Sequence, residues 1–114
     1  MRYLGGKTKL ARKVTDVLKV NRRSGQEFVE PFMGGASISV RMDNPRSLYD
    51  ANHLLVEMWN ELLDGKIYLP DGPILEDDYK SIKADPHHPL YTLVGFGLSY
   101  AGCWWQGYDG YYDR

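Results

Sequence analysis

Apolar residues recur at helical spacing between Thr8 and Val20, where Leu10, Val14, Val17 and Leu18 fall on one face, and this predicts an amphipathic helix. Asn21 to Gly25 is a polar, basic connector. Glu27-Phe28-Val29-Glu30 reads as a short strand that runs straight into Pro31-Phe32-Met33-Gly34-Gly35. Ala36 to Met42 is expected to form a helix opening at that glycine turn. Asn44-Pro45 then breaks the chain, because the residue before a proline is biased away from helix. Ser47 to Asp50 is a second short strand. Ala51 to Leu63 carries the clearest helical pattern, with Leu55, Met58, Trp59 and Leu62 at i, i+3, i+4 and i+7 and Gly65 as its stop. Tyr68 to Pro89 is rich in Pro, Asp and Gly, with one short helix near Glu76 to Ile82. Leu90 to Arg114 is dense in aromatics and glycine, helical to about Tyr100 and then turns. Strands alternating with helices predict an α/β fold in which right-handed crossovers set the two strands side by side and parallel.

Composition narrows the class. Hydrophobic residues make up 43% of the 114, enough for a core and too many for a disordered chain. The length suits one small domain. No apolar run approaches a transmembrane length, and the opening Met1-Arg2-Tyr3-Leu4-Gly5-Gly6-Lys7 lacks the apolar stretch of a signal peptide, so a soluble, cytoplasmic protein with no membrane partner is expected. Cys103 stands alone, which excludes an internal disulfide and a Cys-based zinc site and leaves a packed thiol. The net charge of -1 conceals an uneven distribution. The first 23 residues hold Arg2, Lys7, Lys9, Arg12, Lys13, Lys19, Arg22 and Arg23 against Asp16, whereas Asp71 to Asp85 is acidic. The basic end suits either phosphates or a solvated helix face.

The glycine turn is the first candidate for chemistry. Ligands of open α/β sheets bind beyond the carboxyl ends of the strands, and glycine there lets the backbone approach a ligand with no Cβ in the way. The pattern is not G-x-G-x-x-G, which disfavours a pyrophosphate-binding dinucleotide site. Asp50 ends the next strand, 16 residues after Gly34, near the offset at which an acid accepts hydrogen bonds from ribose hydroxyls. It is equally suited to cap the following helix, and both roles are compatible. Together the turn and the strand-end acid point to an adenosine-type ligand.

Three segments in order resemble the Dam-like, or D12-class, DNA adenine-N6 methyltransferases. Tyr3-Leu4-Gly5-Gly6-Lys7-x-Lys9-Leu10 is similar to their opening motif, Phe28 to Gly35 to their first cofactor motif, and Tyr49-Asp50-Ala51-Asn52 with Leu55 and Trp59 to their second, D-x-N-x-x-L-x-x-x-W in shape. The resemblance is good over about the first 63 residues. Gly95 to Tyr108 looks, more loosely, like the segment of phage-type members that leads into DNA recognition. The resemblance implies a partial Rossmann-like class I methyltransferase fold and S-adenosylmethionine as cofactor. It places Tyr3 and Lys7 near the methionine moiety, Lys7 against its carboxylate. It sets Glu30 and Phe32 beside the methionine and sulfonium, Gly34 at the point of close approach, and Asp50 on the ribose. It divides the chain into a cofactor-binding part, residues 1–67, and a linker with the start of a DNA-recognition-like segment, residues 68–114. Double-stranded DNA is the implied partner.

The family's catalytic motif, Asp-Pro-Pro-Tyr on a strand beside the glycine-turn strand, does not occur in these residues, so no catalytic residue is assigned. The nearest string, Asp85-Pro86-His87-His88, lacks the phenol and the second proline and reads as a turn. Its adjacent histidines are a weak metal signal, and no metal is expected. Two strands leave sheet edges open, so the chain is expected to be marginal alone, oligomeric, or dependent on a C-terminal partner fragment. Tyr100, Trp104, Trp105, Tyr108, Tyr111 and Tyr112, with Arg114, suit either stacking on bases or packing in a core or interface, with packing favoured. The expected function is therefore that of a site-specific DNA adenine-N6 methyltransferase present as an incomplete chain, inactive alone. A non-catalytic binding or regulatory module is the alternative, and a generic adenosine-nucleotide binder the third reading.

Overall fold

The computed structural model describes residues 1–110. The chain divides into two compact units, one formed by Met1 with Gly5–His53 and the other by Arg2–Leu4 with the chain from Leu54 onward.

The first unit opens on helix α1, Thr8–Asn21, followed by strand β1, Phe28–Glu30, and strand β2, Arg46–Leu48. The strands pair in parallel, Phe28 opposite Arg46 and Glu30 opposite Leu48, as the alternation of elements predicts for an α/β chain. Arg22 locks their entry. Its guanidinium donates to the carbonyls of Gln26 (2.9 Å), Asp43 (2.9 Å) and Pro45 (3.0 Å), so one side chain holds the backbone leading into both strands. The covered face of α1 differs from the expected one. Leu10 and Val17 are 58% and 63% exposed, while Ala11 and Thr15 are buried and Val14 packs with Phe28, Ile38 and Met42. The contact stripe is rotated by one residue because the small Ala11 admits closer approach than Leu10, and Thr15 satisfies its hydroxyl on the Ala11 carbonyl at 2.9 Å.

The helix expected over Ala36 to Met42 is a single 3-10 turn, Ser39–Arg41. Ala36 adopts a φ of 59°, in the left-handed region, so a helix cannot continue from the glycine turn. The carbonyls of Ser39 and Met42 are taken instead by Arg46, at 2.6 and 2.9 Å.

In the second unit, α2 (His53–Leu63, its first residue in the first unit), α3 (Glu76–Lys83) and α4 (Tyr91–Gly97) follow in order, and a 3-10 turn spans Tyr100–Gly102. The Asp78 carboxylate accepts from the Leu75 amide at 3.0 Å at the start of α3. Ile74, Tyr79, Ile82, Val94, Leu98 and Trp105 form the core, with Leu90, Tyr91, Trp104 and Tyr108 packed around it. The helix expected to reach Tyr100 stops at Gly97, and an antiparallel bridge between Ser99 and Tyr108 replaces it. No helix among the described residues is long and apolar enough to cross a membrane.

Candidate functional site

The turn that follows β1 brings together two left-handed residues, Gly34 and Ala36, and the buried charge of the first unit. Met33 donates its amide to the Tyr49 carbonyl at 2.9 Å, continuing the sheet pairing one step past the strands. Gly34 follows at φ 50° and donates its amide to the Asp50 carboxylate at 2.9 Å. The two features that stand 16 residues apart in sequence are thus in direct contact. The second Asp50 oxygen accepts from the Asn52 amide, also at 2.9 Å, which turns the chain into α2. A carboxylate offers about four acceptor positions, so two remain for hydroxyl donors of a ligand.

Glu30 ends β1 with 6% exposure. One of its oxygens accepts from the Ser39 hydroxyl. The other has no hydrogen-bond donor among the described residues, but the Lys7 ammonium lies 3.4 Å from it. Lys7 also donates to the Phe32 carbonyl at 2.5 Å. Burial of a carboxylate costs several kcal/mol unless a cation and hydrogen bonds offset it, and Lys7 and Ser39 supply both. The Phe32 ring is 76% exposed beside this arrangement, an orientation that packing does not explain. Thr8 meets Ser37 at 3.0 Å, joining the start of α1 to the far side of the turn.

Of the six residues singled out from sequence, the structure gathers Lys7, Glu30, Phe32, Gly34 and Asp50 around one turn of the first unit. Tyr3 belongs to the second unit, where its ring meets Phe96 edge-on with centroids 5.2 Å apart. Its backbone fits against Gly102, where a Cβ would lie 2.7 Å from it. Sequence reasoning missed Ser39 and Arg46. Ser39 sits in the apolar string Ile38-Ser39-Val40, and that isolated hydroxyl between two β-branched residues was the available signal.

Asp85-Pro86-His87-His88 forms a turn, with the Asp85 carboxylate accepting from the His87 amide at 3.1 Å and the Asp85 carbonyl from the His88 amide at 3.0 Å. Among the described residues no group of three His, Cys, Asp or Glu is placed to hold a metal ion. The aromatic segment is mostly core. Trp105 is buried, Trp104 and Tyr108 are half-buried, and the Tyr108 hydroxyl donates to the Ile74 carbonyl at 2.8 Å. Tyr100 is exposed, while Tyr111, Tyr112 and Arg114 lie outside the described residues. Cys103 is a half-buried free thiol.

The donor set around the glycine turn fits an adenosine-linked amino acid. It offers an ammonium for a carboxylate, a carboxylate with open acceptor positions for a diol, a second, buried carboxylate ion-paired with that ammonium, and an exposed aromatic side chain. No curated protein matches the chain. The model of the family described as D12 class N6 adenine-specific DNA methyltransferase matches residues 3–88, a stretch containing every residue of this arrangement. That match spans most of the 114 residues, and the chain belongs to the D12 class N6 adenine-specific DNA methyltransferase family.

Proposed function

We propose that this chain holds S-adenosylmethionine at the glycine turn of a Rossmann-like methyltransferase fold and serves cytoplasmic, site-specific adenine-N6 methylation of double-stranded DNA. The observation that carries the reading is the contact between the Gly34 amide and the Asp50 carboxylate, which sets an acid with open acceptor positions at the carboxyl ends of two parallel strands. The Asp50 carboxylate would hold the ribose hydroxyls. Lys7 would meet the carboxylate of the methionine moiety, Glu30 would favour positive charge nearby, and Phe32 would pack on the ligand. The cofactor supplies an electrophilic methyl group on a positively charged sulfur.

The adenine amino group is a poor nucleophile because its lone pair is delocalised into the ring, so acceptors must stabilise the charge that develops on nitrogen. These residues contain no Asp-Pro-Pro-Tyr to provide them. We place them on a further strand at the edge of β1 that faces away from β2. Phe28 and Glu30 direct their pairing groups to β2, which leaves those of Val29 at that edge, with its side chain 51% exposed. A C-terminal partner fragment that carries the motif would bring that strand. The basic character of the first unit, nine Lys and Arg against five Asp and Glu, supports phosphate contacts by the same unit.

Titration calorimetry with S-adenosylmethionine tests the cofactor reading, on the wild-type chain and on Phe32→Ala. Because the ring is exposed, its removal leaves the melting temperature within about 2 °C but weakens binding about tenfold. No saturable heat with a folded chain would overturn the reading. The absence of Asp-Pro-Pro-Tyr equally suits a non-catalytic binding module. Adding a fragment that carries that motif separates the two, since only a split enzyme regains methylation.

A further inference from the structure

Ser39 is 1% exposed, lies outside every motif quoted above, and gives its hydroxyl to Glu30. Its own carbonyl is held by Arg46 at 2.6 Å, so the backbone that carries the hydroxyl is fixed from β2. A glutamate has three side-chain torsions, and one hydrogen bond to a chosen oxygen is enough to select among them. With one oxygen turned to Ser39, the other is left facing the Lys7 ammonium, 3.4 Å away, with no hydrogen-bond donor among the described residues. Lys7 in turn reaches the Phe32 carbonyl at 2.5 Å. A continuous polar chain therefore runs from β2 through the 3-10 turn and the end of β1 to the start of α1 and the glycine turn.

We propose that Ser39 is a positioning residue, which acts through Glu30 to hold the Lys7 ammonium at the glycine turn. The consequence for ligand binding rests on the S-adenosylmethionine reading above, whereas the effect on Lys7 does not. Lysine carries four flexible torsions and loses rotamer freedom on ordering, so an ammonium held in advance binds a carboxylate more tightly than one that must be gathered. Without the Ser39 hydroxyl the glutamate is free to rotate, and its buried oxygen is left with an unmet acceptor. Glu30 then no longer restrains Lys7. A serine present only to fill space or to satisfy Glu30 would leave Lys7 as it was.

The test uses the full chain, labelled with 15N, and reads the Lys7 ammonium by NMR, its signal assigned through its loss in Lys7→Met. In the wild type the Lys7 ammonium protons exchange with water measurably more slowly than those of the exposed lysines. In Ser39→Ala they exchange as fast as the others, and Ser39→Thr, which restores a hydroxyl, restores the slow exchange. S-adenosylmethionine titrated into the same samples binds Ser39→Ala about five- to tenfold more weakly and Ser39→Thr within about twofold of wild type, the size expected of one hydrogen bond. Slow Lys7 exchange in a folded Ser39→Ala variant overturns the proposal. Should Ser39→Ala fail to fold, Ser39→Gly, which also removes the hydroxyl and adds no volume, is read by the same criterion. If the wild type does not bind the cofactor, the functional reading falls, and Lys7 exchange alone decides the role of Ser39.

Discussion

The two units of this chain solve the problem of a small core in opposite ways. The second fills its interior with aromatic rings: Tyr79, Tyr91, Trp104, Trp105 and Tyr108 make a web of edge-on and tilted contacts with centroids 4.9 to 5.7 Å apart. The first has a thin apolar cluster around Ala11, Ile38 and Met42, and it buries a carboxylate instead. Their charges differ as sharply, since the first unit has an excess of cations and the second holds ten acids against five cations. One unit is built for packing density, which tolerates no added volume. The other spends interior positions on polar groups that need partners, which accords with the ligand proposed for it.

The contrast can be broken most forcefully at Gly95. A Cβ there would lie 2.6 Å from Trp104 and 2.8 Å from Trp105, so Gly95→Val should cost about 3 kcal/mol and collapse the near-ultraviolet circular dichroism of the rings. A loss under 1 kcal/mol would show that the web is loose. Tyr79→Phe removes the 2.7 Å hydrogen bond between the phenol and Ser99 while keeping the ring, and urea denaturation should register about 1.5 kcal/mol. In the first unit, Lys7→Met keeps most of the side chain and withdraws the cation beside buried Glu30. Because the Lys7 side chain is 35% exposed, solvent screening holds the expected loss to about 1 kcal/mol, measured by the same denaturation. The smallest effect belongs to the outer face of α1. Leu10→Gln with Val17→Gln should change stability by less than about 0.5 kcal/mol, since both side chains are already more than half exposed. A larger loss would mean that this face is covered in solution.

Local pattern made much of this legible. The helix over Thr8–Asn21, the helix ending at Leu63 and the one starting at Glu76 follow from periodicity and stop signals, and the parallel pairing follows from alternation of elements. Where the reading failed, a distant contact decided. Periodicity favours Leu10 and Val17 equally with Val14, and only the position of Phe28, Ile38 and Met42 selects the stripe that is buried. The segment from Ala36 has the composition of a helix, but the left-handed turn at Ala36 and the capture of two carbonyls by Arg46 forbid more than one turn. The grouping of Lys7, Glu30, Phe32, Gly34 and Asp50 at one turn was legible because they lie beside glycines or within two residues of a strand end, although β2 stops at Leu48, short of the expected end at Asp50. Ser39 was not, because its importance lies in a bond to a residue nine positions earlier that no spacing rule anticipates.

Asp50 has a consequence for genetics. Its two oxygens tie down the glycine turn and the entry to α2 at once, each by a single amide. A screen for loss of ligand binding will therefore recover Asp50 substitutions together with folding defects. On the proposed cofactor reading, alleles at this position will be pleiotropic, whereas those at Phe32 will separate recognition from architecture. Suppressors of an Asp50 allele should accordingly arise at sites that steady the turn, rather than at sites that touch the ligand.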